Sequence, residues 1–206
     1  MKKRTLAAGA VALATAGLGL AQTSSADAGG GRINFELQRS PGIAAAGCLP
    51  IAAARVKVKH DGAVERMTID AWGLPANTEF DTFVIQVPNA PFGVSWYQGD
   101  LETNRHGVAH QEYVGRFNQE TFAIAPNVAP APSVHSSPTP DATSNPAFGP
   151  IHTFHIGVWF NSPADAAKAG CSGATTPFNG EHNAGAQVFN TAQFPATAGP
   201  LGTLEP

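Results

Sequence analysis

The residues best suited to chemistry in this sequence are two acids just behind two aromatics: Trp96 and Tyr97, then Asp100 and Glu102. On an extended strand, residues two apart point the same way, with about 7 Å between their Cα atoms. A carboxylate pair so placed has the constituents of a glycoside hydrolase, and beside aromatic rings it also describes a sugar-binding face that performs no hydrolysis. The plainer alternative is a solvated strand end before a turn. Trp72 falls on the polar face of its own strand next to a turn, where packing under a loop is expected; an exposed ring there would point to ligand contact.

Seven histidines offer a route to a metal: His60, His106, His110, His135, His152, His155 and His182. A β-sandwich can assemble a copper or zinc site from strands remote in sequence. His152 and His155 are the candidates to test, but their opposite parity sends them to opposite faces of a strand unless a bulge intervenes. For His152 the alternative is a core imidazole bonded to a backbone carbonyl. His106 and His182 read equally well as solvated turn residues.

The usual nucleophile signatures are missing. Gly93-Val94-Ser95-Trp96-Tyr97 lacks the second glycine of a nucleophile elbow. His110-Gln111-Glu112 misses both the spacing and the second histidine of a zincin. No glycine-rich loop opens a helix, and no aspartate-rich calcium loop is present. No catalytic residue and no cofactor are therefore expected, which points away from the common enzymes and leaves an unusual one open.

The elements that must position these residues are strands. From Val64 to Phe117 the chain alternates apolar and polar residues, broken by GLPAN, PNAP, QGD and NRHG. Met67, Ile69 and Ala71 share one face of a first run, Phe83, Ile85 and Val87 of a second, and Phe92, Val94 and Trp96 of a third. Period-two runs broken at short intervals by turn residues predict an antiparallel meander with one wet face. Upstream, Ile33, Phe35 and Leu37 face inward on a strand over 32–38. Arg55 to Lys59 reads RVKVK, with Val56 and Val58 buried and three cations outward, as on an edge strand or a wet face, the alternative being an anion-binding stripe. Downstream, a strand over 119–125 brings Phe122 and Ile124 inward. Ile151 to Phe160 is apolar on both faces and so reads as a central strand. The inward positions include Phe35, Phe83, Phe92, Phe122, Phe154, Phe160 and Phe189, enough to fill a sandwich.

One helix is expected: Ser162 caps it, Pro163 opens it, Asp165 sits in the first turn and Gly170 ends it. It delivers Cys171, one of two cysteines; the other is Cys48. In an oxidising compartment an even pair closes a bridge, worth roughly 4–5 kcal/mol at this separation. Between 126 and 150, seven prolines and little apolar bulk predict a long proline-rich loop inserted between strands.

Residues 1–28 read as a signal peptide. Lys2, Lys3 and Arg4 precede an apolar run from Leu6 to Leu20, and Ala26-Asp27-Ala28 offers a small-x-small cleavage site, with Ala21 as the alternative. The apolar run falls short of the roughly 20 residues that span a bilayer. The remaining 178 residues, one domain over 29–206, carry nine basic against fourteen acidic side chains, a net −5. An acidic chain with scattered cations has no reason to bind phosphate backbones, so nucleic acid is set aside.

The stretches GLPANTEFDTFVIQVPNAPFGVSWYQGDLETNRHG, HTFHIGVWFNSPADAAKAGC and PFNGEHNAG resemble secreted proteins of high-GC Gram-positive bacteria. That resemblance implies an extracellular location and brings no activity, cofactor or catalytic residue. The cadence of strand, GLP turn, strand and turn glycine is also similar to small immunoglobulin-like modules. The expectation is an all-β, antiparallel β-sandwich with one short helix, secreted, monomeric and not inserted in a membrane. It would serve as a non-catalytic binding or structural module for an extracellular carbohydrate or protein. The alternatives are an extracellular enzyme (a metal-dependent oxidoreductase or a carbohydrate-active hydrolase) and a protease inhibitor presenting the 126–150 loop.

Overall fold

The computed structural model describes residues 25–26, 31–93, 95–117, 153–171 and 183–204. The expected strand at 119–125, the proline-rich segment, His135, His152, His182 and nearly all of the signal segment lie outside them.

Alternating sequences become strands in two antiparallel layers. In the first, called sheet A, the order is β1 (Ser25–Ala26), β2 (Arg32–Arg39), β3 (Ala53–Asp61), β4 (Val64–Trp72) and β7 (Ala109–Gly115). In sheet B the order is β6 (Ser95–Glu102), β5 (Glu79–Ile85), β8 (His155–Phe160) and β9 (Gln187–Asn190). The last residues of β2 leave sheet A and pair with β9, Gln38 with Asn190 and Arg39 with Phe189, so one strand joins the two layers. At the opposite side Tyr113 of β7 reaches into sheet B. Its hydroxyl donates to the Asp100 carbonyl at 3.0 Å, and the Thr82 hydroxyl donates to it at 2.8 Å. The result is an all-β, nearly closed sandwich.

The faces of sheet A follow the alternation. Ile33, Phe35 and Leu37, Val56 and Val58, and Met67, Ile69 and Ala71 are all buried against sheet B. β3 lies between β2 and β4, so its cations belong to a wet face and not to an edge. β8 is central, as apolar bulk on both of its faces implies.

In sheet B the assignment of faces differs from expectation. Phe83 and Ile85 do not enter the main core; with Trp159, Ala184 and Phe92 they build a second, smaller cluster on the outer face. Phe80 and Val84 take the inner positions instead. β5 is buried on both sides, and period two cannot say which of two buried faces is the inner one. The strand expected over 92–96 begins only at Ser95. The segment before it folds back over the sheet, its Pro88 carbonyl accepting from Gln187 and Asn190.

Among the described residues there are two short α-helices, where one is expected. α2 (Pro163–Lys168) is capped as its sequence predicts, Ser162 Oγ accepting from the Asp165 N–H at 3.1 Å. α1 (Pro41–Ala45) stands where Ser40-Pro41-Gly42 suggests only a turn, and it uses the same device: Ser40 Oγ accepts from the Ile43 N–H. Each helix leads into a cysteine, and Cys48 and Cys171 are joined with their Cα atoms 5.5 Å apart. Closing a span of 123 residues stabilises by about 5 kcal/mol on the chain-entropy model.

The turn from β6 to β7 is fixed by Asn104, whose Oδ1 accepts from the N–H groups of His106 and Val108 at 2.8 and 3.2 Å. Gly107 in this turn has φ +68°, and a Cβ there would sit 2.0 Å from the Leu74 carbonyl oxygen. Both the backbone conformation and the close approach require glycine. Among the described residues no helix is long and apolar enough to cross a membrane.

Candidate functional site

The register of β5 and β6 decides which acids meet. Asp81 pairs with Asp100 and Glu79 with Glu102, so four carboxylates leave the same outer face of sheet B. Asp100 and Glu102 belong to the sequence-derived pair; Glu79 and Asp81 are the addition. A carboxylate oxygen from each of Glu79, Asp81 and Asp100 lies within 4.8 Å of the other two. Asp81 is buried at 2% exposure, while Glu102 is open to solvent. Only knowledge of the strand pairing could have found this grouping, because Glu79 and Asp81 sit about twenty residues upstream of their partners.

Tyr97 shares the face. It packs on Phe83 with ring centroids 5.5 Å apart, and its hydroxyl donates to Asp100 Oδ1. Burial first, and then the Asp100 carboxylate, push the Tyr97 hydroxyl well above the ordinary tyrosine range, so it stays a donor at all physiological pH. Beyond Tyr97 the face is closed by Trp159, which meets Phe83 and Phe92 edge-on at 5.4 and 5.0 Å. Gly157 makes room for that indole: a Cβ there would lie 2.4 Å from it.

Trp96 is not part of this grouping. It pairs with Val84 and so leaves the opposite face of β6, where it is 48% exposed. Trp72 lies on the other layer, at the end of β4 on the outer face of sheet A. It is 41% exposed, so the packing expected of it under a loop is not made by the described residues.

No family model, no curated protein and no solved structure matches this chain. What the site can do must be read from its own geometry.

Oxygen ligands suit a hard cation such as Ca²⁺, but three of them fall short of the roughly six to eight that it takes. The remaining ligands would have to be water or sugar hydroxyls. Among the described residues no histidine joins a metal-holding group. His155 is fully buried with both ring nitrogens engaged: Nε2 donates to the Ala196 carbonyl at 3.2 Å, and Nδ1 accepts from the Thr191 hydroxyl at 2.8 Å. The role expected of His152, an imidazole satisfied by a backbone carbonyl, is filled by His155. His110 is held by Asp70 at 2.6 Å on the outer face of sheet A, and His106 accepts from Arg105 in a turn.

Proposed function

We propose that this chain is a secreted, non-catalytic binding module of the extracellular space or cell envelope. It works as a monomer, in the manner of small immunoglobulin-like modules, and takes a carbohydrate on the outer face of sheet B. The observation that carries the reading is the meeting of Tyr97, Asp100 and Glu102 with Glu79 and Asp81 on one face. Carboxylates accept hydrogen bonds from sugar hydroxyls, and a ring fixed by its own neighbours stacks on a pyranose at small entropic cost. The Cys48–Cys171 bridge suits an oxidising compartment, and the leader-like first 28 residues suit export.

Hydrolysis asks for two carboxylates flanking the scissile bond, one to protonate the leaving oxygen and one to attack or to activate water. Here the acids leave one face side by side, and Asp100 is already engaged by Tyr97. That arrangement grips a sugar from one side and favours recognition over cleavage.

The test is a panel of immobilised neutral and amino-sugar glycans probed with the wild type, Tyr97→Ala and Asp100→Asn. Binding that falls about tenfold in both variants is expected, one good hydrogen bond or ring contact each. Release of reducing ends that depends on Asp100 would turn the reading into a hydrolase. A panel with no bound glycan would overturn it.

A further inference from the structure

On the outer face of sheet A the register makes an arrangement that stability does not explain. Lys59 stands directly opposite Arg32 on one side and Arg66 on the other. Like charges directly across a strand pair are destabilising. Arg66 is relieved by Asp61 and Glu112, and Lys57 has Asp70 at 4.0 Å. Arg32 and Lys59 are exposed, and among the described residues neither has a carboxylate within 4.0 Å. The next pair of the register on that face is Asn34 with Lys57. Arg32, Lys59, Lys57 and the half-buried Asn34 therefore mark the corners of one cell, about 5 Å across and about 7 Å along. Two cations without a carboxylate partner, with Lys57 beside its Asp70 and an amide at the fourth corner, stand at separations that a single oxyanion can bridge.

The same face carries an exposed aromatic. Trp72 pairs with Ala53, six residues from Lys59 along β3, which is about 20 Å at the usual rise. Arg55 lies between them on that face.

We infer that the outer face of sheet A binds an acidic polysaccharide. A uronate or sulfate group sits over Arg32, Lys57, Lys59 and Asn34, and a sugar ring further along the chain stacks on Trp72. The net negative charge of the protein does not forbid this. The acids of sheet B lie on the far side of the sandwich. Those of this face, Glu36, Asp61, Asp70 and Glu112, stand opposite Arg55 or beside Lys57 and Arg66, and among the described residues leave Arg32 and Lys59 without a carboxylate within 4.0 Å. A nucleic acid duplex would satisfy the cations but keeps its rings stacked inside, leaving Trp72 nothing to meet. The site is separate from the Tyr97 face and stands or falls independently of it.

Affinity electrophoresis of the full, oxidised chain through gels containing heparin, polygalacturonate or neutral dextran tests the assignment. Heparin and polygalacturonate are expected to retard the protein and dextran is not. The retardation should vanish as added salt shortens the Debye length from about 10 Å to about 3 Å. The double variant Arg32→Gln/Lys59→Gln should bind at least about tenfold more weakly. It should also melt at or above the wild-type temperature, since a repulsion is relieved and no ion pair is broken. Trp72→Ala should weaken polysaccharide binding and leave its salt dependence unchanged. Absence of retardation by both acidic polymers, equal retardation of the double variant, or equal retardation by dextran would each overturn the proposal. So would displacement of heparin by single-stranded DNA at lower concentration than by polygalacturonate.

Discussion

The Glu65 carboxylate, with no exposure to solvent, accepts the backbone N–H of Phe117 through Oε2. Its other oxygen faces Arg116 Nε at 3.9 Å and His60 Nδ1 at 4.0 Å. Glu65 is the second residue of β4, and Phe117 follows the end of β7, the neighbouring strand. A buried carboxyl group therefore pins the chain where it leaves sheet A. Glu65→Ala removes the acceptor, leaves the buried Phe117 N–H without a partner and takes the carboxylate away from Arg116. The expected cost is about 3 kcal/mol. Glu65→Gln keeps an acceptor and should cost less. Urea denaturation of the three proteins measures the difference, and equal costs for Ala and Gln would show that the N–H bond is not what holds the strand.

Much of the fold was legible where one face of a strand is wet. Ile33, Phe35 and Leu37, and Met67, Ile69 and Ala71, point inward because alternation leaves a single apolar face to bury. It failed for Phe83, because β5 is covered on both sides and alternation carries no sign. Arg55, Lys57 and Lys59 resemble an edge guard, yet β3 is interior, since edge or centre is decided by pairing across the sheet. The candidate site was half legible for the same reason. Asp100 and Glu102 share a strand, whereas Glu79 and Asp81 meet them only through the register of β5 with β6. The helix at Pro41 carried the cap signature Ser-Pro, and Gly42, a poor helix former, obscured it.

His155 gives a pH dependence of defined sign. Burial lowers its pKa below the ordinary 6.5, against the smaller raising effect of the Ala196, Pro195 and Thr191 backbone groups. In the folded protein the ring is neutral with its proton on Nε2; charging Nδ1 would turn the Thr191 contact donor against donor unless that hydroxyl swings toward the Ile156 carbonyl at 3.5 Å. The unfolded chain takes up a proton at pH 6.5 that the folded chain refuses until lower pH. The stability from a neutral His155 is complete above pH 6.5, lost as pH falls from there to the folded pKa, and constant below it. Denaturation of wild type and His155→Gln at several pH values between about 7.5 and about 4.5 checks this. The variant should start less stable at the upper end and show a shallower loss on acidification. Parallel profiles would mean that His155 does not titrate differently on folding.

Gly157 and Trp159 supply the last test, of the small outer cluster. Replacing Gly157 with alanine removes backbone entropy from the unfolded chain, a gain of about 0.5–1 kcal/mol. The added Cβ, however, would lie 2.4 Å from the far edge of the Trp159 ring and 2.9 Å from Gln187 Nε2. The indole cannot retreat freely, because Phe83 and Phe92 meet it edge-on. Overpacking of this kind costs about 1–3 kcal/mol, which exceeds the gain. Gly157→Ala should therefore lower the melting temperature. It should also shift part of the tryptophan emission to the red, since Trp159 at 2% exposure is the buried indole while Trp72 and Trp96 are open to solvent. A variant with raised stability and unchanged emission would mean that the cluster yields without cost, and that the Tyr97 face rests on a softer support than its ring contacts imply.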